Sequence, residues 1–386
     1  MSTLKTTNLQ NASSSSTNLA LDTSGNATSA GTVVMSSPYT MRNKIINGAI
    51  VIDQRNAGAS TSVGTASAAY TLDRWRVYHD TAITSNITAQ QSSTVPSTGF
   101  INSQILTNGT GTSPAAGDFN VIQQRIEGFN IADLNYGSST AATTTLSFWV
   151  RSSLTGTFGF GVTNSNQDRS VVYTYTISSA NTWEQKTITI AGDQSGTWLT
   201  TNGIGLILSW DLGSGTSSNA AATGTWYGAR YVRTSACTNF IGTTGATFYI
   251  TGVQLERGTV ATPFEYRNYQ QELAMCQRYF QKSYDIETAV GTASYNGYLN
   301  WNWQNLSNYG TANIILPVRM RAAPTCTNYN PALTNTVGGR YWNGSAEVAF
   351  TGSMNGWDQY QSTIRFNKDA TNSTNILIQW TASAEL

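Results

Sequence analysis

The feature that most constrains this chain is a series of short segments in which apolar and polar residues alternate, each closed by Gly, Asn or Ser: TLSFWVRSS, TFGFGVTN, SVVYTYTIS, EQKTITIAG, GIGLILSWDLG and TFYITGVQLE. Successive side chains of a strand point to opposite faces, so a period of two reads as a half-buried strand and not as a helix. In the first segment Leu146, Phe148 and Val150 form the face expected to be buried. In the third, Val172, Thr174 and Thr176 lie opposite Val171, Tyr173, Tyr175 and Ile177. One packed face and one wet face is the logic of antiparallel sheets stacked as a sandwich. The pattern predicts an all-β chain with a jelly-roll β-sandwich over residues 43–262.

Residues 1–42 before it are a Ser/Thr/Asn-rich stretch with isolated apolar side chains, too few for a core of their own. Two readings stand: a disordered tail, or an extended segment that orders against copies of itself or a docking partner, with Leu19, Leu21, Val33 and Val34 supplying the apolar contacts.

After the sandwich, Pro263 opens the one helical pattern, predicted over residues 263–283. Tyr266, Tyr269, Leu273, Cys276 and Phe280 recur at spacings of three and four, which puts them on one stripe. Such a stripe either covers an open sheet or self-associates as a stem about a three-fold axis. Residues 284–386 return to β patterning and predict a smaller β domain, with Leu299, Trp301 and Trp303 on one strand face and Tyr298, Asn300, Asn302 and Gln304 on the other. No repeat of fixed period is present, which counts against a propeller or β-helix.

Charge narrows the chemistry. Lys plus Arg number 21 and Asp plus Glu 20, a net charge of +1, and charged residues make up only 11% of the chain. That composition provides no long-range field for a nucleic acid or an anionic membrane, so neither is expected as a partner. With a single histidine, His79, a polyhistidine metal site is excluded, and Cys237, Cys276 and Cys326 lie far apart without C-x-x-C spacing. No disulfide framework, zinc site or cofactor is expected, and no EF-hand-like acidic cluster is present, although Asp, Asn and backbone carbonyls of a jelly roll can hold a calcium ion. The residues from Met1 to Gln10 lack an apolar core of signal-peptide type, and no apolar run reaches the length of a membrane span, so folding in a reducing cytoplasm is expected.

Catalysis without histidine would fall to paired carboxylates of the glycoside-hydrolase kind, with Asp118, Glu127, Asp133, Asp193 and Asp211 as candidates. Each also has an ordinary reading as a turn or strand-end residue, and no G-x-S-x-G elbow accompanies His79. A non-enzymatic protein is therefore expected. What remains is recognition by stacking: Trp and Tyr rings meet the apolar faces of sugars while neighbouring amides bond their hydroxyls. In the C-terminal region Tyr298, Tyr329, Tyr341, Trp342 and Trp357 lie on polar strand faces or beside Gly, Asn and Pro, and are the expected glycan contacts, whereas Trp301 and Trp303 read as core.

Four passages resemble phage tail-fibre and related virion-fibre proteins: NKIINGAIVIDQRNAG, YTLDRW, FYITGVQLERGTVATPFEYRNYQQELAMCQRYFQKS and LPVRMRAAPT. The resemblance implies a sandwich of carbohydrate-binding-module type and a homotrimer on the exterior of a virion. It does not say which domain touches the receptor; the whole chain reads as a tail fibre that joins other virion proteins through residues 1–42 and meets a host surface glycan or receptor, with residues 284–386 as the expected host-contacting tip. A head or neck fibre without a receptor, and a carboxylate-dependent depolymerase, are the alternatives. The motif residues Asn47, Gly48, Gln54, Arg55, Gln254, Glu256, Pro263 and Arg278 read physically as turn, strand-end and junction residues, with Arg and Glu as ion pairs.

Overall fold

A computed structural model describes residues 8–9, 19–21, 23, 27–29, 41–64, 68–79, 86–96, 99–302, 309–342, 345–350, 352–356, 358–359, 361–367 and 375–386. The chain divides into two compact units, residues 1–42 and 43–386. In the first, Asn8–Leu9, Leu19–Leu21 and Ala27–Ser29 form an antiparallel sheet in which Leu19 lies opposite Leu9 and Ser29. Leu19 and Leu21 thus sit on its middle strand, and Val33 and Val34 lie outside the described residues.

The second unit begins with a two-sheet antiparallel β-sandwich. Among the described residues one sheet has six strands, in the order Glu184–Ile190, Thr144–Ser152, Thr247–Arg257, Ser103–Asn108, Ile87–Ser92 and Thr61–Val63. The other has seven: Trp226–Tyr227, Ser170–Ile177, Gly156–Thr163, Ile204–Asp211, Asn120–Glu127, Trp75–His79 and Ala68–Leu72. Leu146, Phe148 and Val150 are fully buried, facing a layer that includes Trp75, Ile122, Phe160, Leu208 and Trp210. Burial of each such side chain contributes about 1.5–3 kcal/mol. At the centre Trp210 meets Trp75 at 5.6 Å and the edge of Phe148 at 5.7 Å, in the tilted and T-shaped geometries that aromatic quadrupoles favour.

The opening motif forms a plug on the sandwich. Asn47 takes a left-handed conformation, φ 59°, which Asn tolerates better than most residues. Its side chain donates to Ile52 O (2.8 Å) and Asp73 O (3.0 Å) and accepts from Ile52 N (3.0 Å), while its backbone oxygen accepts from the Trp75 indole at 2.9 Å. Gly48 is required by space: a Cβ there would lie 2.2 Å from Val253 O. Gln54 binds the Asp73 carboxylate through its backbone N (2.7 Å) and its side-chain amide (2.6 Å). In the boundary motif, Glu256 accepts from Thr262 N (2.9 Å) and Thr262 Oγ1 (2.7 Å), and Gln254 Oε1 accepts from Glu265 N at 2.8 Å.

Those bonds shorten the helix that the spacing predicts over 263–283. They hold residues 262–265 in a loop, and the α-helix runs only from Tyr269 to Gln277, with the Asn268 side chain capping Gln270 N at 3.0 Å. Beyond it, Phe280–Lys282 leaves the helix to pair with Asn375–Ser383. The predicted stripe is therefore split: Cys276 and Phe280 are buried and Leu273 is partly buried, whereas Tyr266 is 57% and Tyr269 45% exposed. Tyr279, which is off the stripe, is fully buried instead.

Residues 280–386 build a further antiparallel sheet around Asn375–Ser383, which pairs with Phe280–Lys282, Leu299–Asn302, Thr325–Tyr329 and Gly339–Trp342. Ile314, Met320, Tyr341, Phe350, Ile378 and Trp380 form its core. Tyr341 corrects the expectation of an exposed contact. Its register opposite Val348 and Ile376 turns the ring inward against Phe350, 6.3 Å between centroids, and leaves it 7% exposed.

Candidate functional site

Two strands of the seven-stranded sheet turn polar side chains away from the core. In Trp75–His79, Trp75, Val77 and His79 point inward and Arg76 and Tyr78 outward. In Asn120–Glu127, Ile122, Gln124 and Ile126 are buried, so Gln123 and Arg125 share the other face. Register places Arg76 directly opposite Gln123, and Arg76 Nη1 donates to Gln123 Oε1 at 2.7 Å. With Phe119, Gln167 and Arg230 these residues line a cleft of about 230 Å³.

The remaining side chains arrive from turns. Gln167 lies in the connection between Gly156–Thr163 and Ser170–Ile177, with φ 57°, in a loop where Asn164 Oδ1 accepts from Asp168 N and Arg169 N, both at 3.2 Å. Arg230 belongs to a segment that crosses the outer face of the same sheet. Gly159 and Gly161 permit that crossing, since a Cβ on either would lie 2.6 Å from Val232 O or 2.8 Å from Tyr231 O. Arg230 donates to Gln167 Oε1 at 3.2 Å and sits 4.1 Å from the Phe119 ring centroid, while Arg76 lies 4.8 Å from that of Tyr78.

Among the described residues three guanidiniums and no carboxylate line the cleft. Burial, and then the like charge of Arg125, push the Arg76 guanidinium down to about 10, so it is still charged at neutral pH. Arg125 is partly engaged: its Nη1 donates to Leu386 O at 2.8 Å, an oxygen that also accepts from the Tyr70 hydroxyl at 2.6 Å. An arrangement of donors, ring faces and amides around a small positive cleft can bind an anionic or hydroxyl-bearing group. Nothing in it is a nucleophile with an adjacent base.

The candidate carboxylates are dispersed and individually occupied. Glu127 is held by Arg278 and Tyr279, Asp193 by Arg169 at 2.8 and 2.6 Å, and Asp133 by Lys44 at 2.7 Å. Asp118 accepts from Ala115 N at 2.7 Å, and Asp211 from Ser214 N at 2.8 Å beside Arg233 at 3.4 Å. His79 is buried with Nδ1 3.2 Å from Asn120 Oδ1, and burial holds its imidazole below the usual range. Among the described residues no group of three or more His, Cys, Asp and Glu side chains converges.

Of the aromatic residues expected to bind glycan, Tyr298 and Tyr329 are half-buried and belong to separate pairs, Tyr298 with Tyr295 at 5.6 Å and Tyr329 with Tyr284 at 6.3 Å. Trp342 ends the strand Gly339–Trp342, and Trp357 lies outside the described residues. Aromatic density in the sequence does not point to the cleft residues. The signal that would have found them is the alternation itself, in RWRVYH and NVIQQRIE, whose outward positions carry Arg, Tyr and Gln.

No protein-family model matches the chain, and no curated protein matches it. Among solved structures, one similar to it is the enzymatically active domain of tailspike protein 4 of bacteriophage CBA120, at 13% identity and a TM-score of 0.29, over 56% of this chain and 22% of that one. Another is a family 11 carbohydrate-binding module from Clostridium thermocellum in complex with a β-1,3-1,4-mixed-linked tetrasaccharide, at 12% identity and a TM-score of 0.27, over 53% of this chain and 98% of the module. A protein of Bacteroides thetaiotaomicron described as a "putative sugar binding protein" is similar at 11% identity and a TM-score of 0.28, over 56% of this chain and all of that one.

Proposed function

We propose that this chain is a non-enzymatic, glycan-binding fibre subunit on the exterior of a phage virion, and that it meets its glycan in the cleft on the seven-stranded sheet. The observation that carries the reading is the cleft itself: Arg76, Tyr78, Gln123, Gln167 and Arg230 converge on a space of about 230 Å³, with no carboxylate among the described residues that line it. Side-chain amides and guanidiniums supply the directional bonds that hydroxyl-rich ligands need, and Tyr78 supplies a ring. The virion setting is supported by the resemblance of the motifs to virion-fibre proteins; their residues Asn47, Gln54, Gln254, Glu256 and Arg278 hold loops and strand ends together and do not line the cleft.

In this reading the fibre is a homotrimer attached to the tail by residues 1–42, and three tethered copies of a shallow site give avidity that one lacks. Tyr298 and Tyr329 form an alternative contact on the C-terminal sheet. The test is retention of the purified chain on immobilised host-surface polysaccharide, with its mass measured by light scattering. Retention of a trimer, weakened by Tyr78→Ala and not by Tyr298→Ala, is expected. A stable monomer at micromolar concentration would contradict the fibre, and release of reducing sugar would contradict the non-enzymatic role.

A further inference from the structure

Seven arginines outside the cleft pair with carboxylates at close range, while Arg151 and Arg321 donate to backbone oxygens. Arg55 and Arg74 bind Glu385, Arg169 binds Asp193, Arg233 approaches Asp211, Arg267 lies between Glu265 and Glu272, Arg278 binds Glu127 and Arg340 binds Glu347. The cleft instead gathers three guanidiniums, of Arg76, Arg125 and Arg230, in a chain whose positive and negative side chains are nearly balanced, 21 against 20. Arg76 and Arg230 each donate to an amide oxygen, of Gln123 and Gln167, and among the described residues neither has a carboxylate within ion-pair distance. Gathering guanidiniums in a half-buried cleft is electrostatically unfavourable until an anion enters, and the planar fork of each matches a carboxylate or phosphate.

We propose that the cleft selects an acidic saccharide, with the sugar carboxylate bound between Arg76 and Arg230 and its hydroxyls meeting Gln123 and Gln167. This rests on the glycan-binding reading above and names the ligand class of that site. The volume limits the ligand: about 230 Å³ lies below the roughly 300–1,000 Å³ of sites that enclose drug-sized molecules, so one acidic sugar unit is held and the rest of the glycan runs along the surface. A nucleic acid fits less well, since the net charge of +1 provides little attraction for a polyanion beyond the cleft.

The test presents the full chain to an array of saccharides bearing uronate or nonulosonate residues beside neutral ones, and then measures affinities for the best binder in solution. Binding confined to the acidic saccharides is expected, falling about tenfold in Arg76→Gln and in Arg230→Gln and weakening as salt rises. Unchanged thermal midpoints in both variants would show that the fold is intact; if either midpoint drops, Arg76→Lys and Arg230→Lys keep the charge and should retain acidic preference. Neutral saccharides bound equally well, with sensitivity to Tyr78→Ala and none to Arg76→Gln, would overturn the acidic selectivity and leave glycan binding standing. No saccharide bound at all would overturn both. Inorganic phosphate displacing the acidic saccharide at equal concentration would reduce the cleft to a simple anion site and overturn the proposal.

Discussion

Arg278 grips Glu127 with two hydrogen bonds, from Nε at 2.8 Å and Nη2 at 2.6 Å, across 151 residues of sequence. The Tyr279 hydroxyl adds a third to the same carboxylate at 2.6 Å. Glu127 ends a strand of the seven-stranded sheet, and Arg278 and Tyr279 occupy the turn between the helix and the strand Phe280–Lys282, so this one carboxylate joins the sandwich to the C-terminal sheet. It is 1% exposed, and a carboxylate so enclosed by donors is structural, not a free acid for catalysis. Glu127→Gln leaves the guanidinium without its counter-charge and should lower unfolding stability by about 2–3 kcal/mol in urea titrations, less than the 3–5 of a fully buried pair because Arg278 is partly exposed. Saccharide binding at neutral pH should be retained. A change within about 0.5 kcal/mol would remove this junction from the account.

Asp73 makes stability depend on pH in a direction opposite to ordinary acid denaturation. Burial pushes its carboxyl up to about 6, against the lowering effects of Arg55 and of the Gln54 hydrogen bonds. Because the folded value lies above the unfolded one, the stabilisation is complete below about pH 4 and is lost as pH rises through about 6. The span of about two pH units corresponds to about 3 kcal/mol. Thermal melts should show the Asp73→Asn variant gaining less stability than the parent between pH 7 and pH 5. Parallel curves would contradict this assignment.

The crossing segment that carries Arg230 depends on two missing side chains. Gly161→Ala would place a methyl group 2.8 Å from Tyr231 O and 3.0 Å from Val232 Cα, contacts with backbone that cannot rotate away. The expected cost is about 1–3 kcal/mol of stability. Displacing the segment should also weaken saccharide binding by moving Arg230 away from Gln167. Full stability and full binding would show that the crossing is not held as described.

Alternation made the sandwich legible, because Leu146, Phe148 and Val150 obey a local period that burial enforces whatever the sequence around them. The helix was legible only in its middle. Its ends were decided by partners far away in sequence, Gln254 and Glu256 before it and Ser383 after it, which no local spacing encodes. Tyr341 shows the same limit: a Tyr next to Trp342 and Asn343 reads as surface, but its register against Ile376 turns it into the core. The cleft was the least legible part, since Arg230 reaches it only through the crossing over Gly159 and Gly161, and Gln167 arrives from the turn between two other strands of the sheet.

The most direct test of glycan recognition in the cleft is a crystal structure of the full chain with the saccharide that binds it best. Density for one sugar unit is expected between Arg76 and Arg230, within hydrogen-bond distance of Gln123 or Gln167. Density against Tyr298 or Tyr329 on the C-terminal sheet, with the cleft empty, would contradict it.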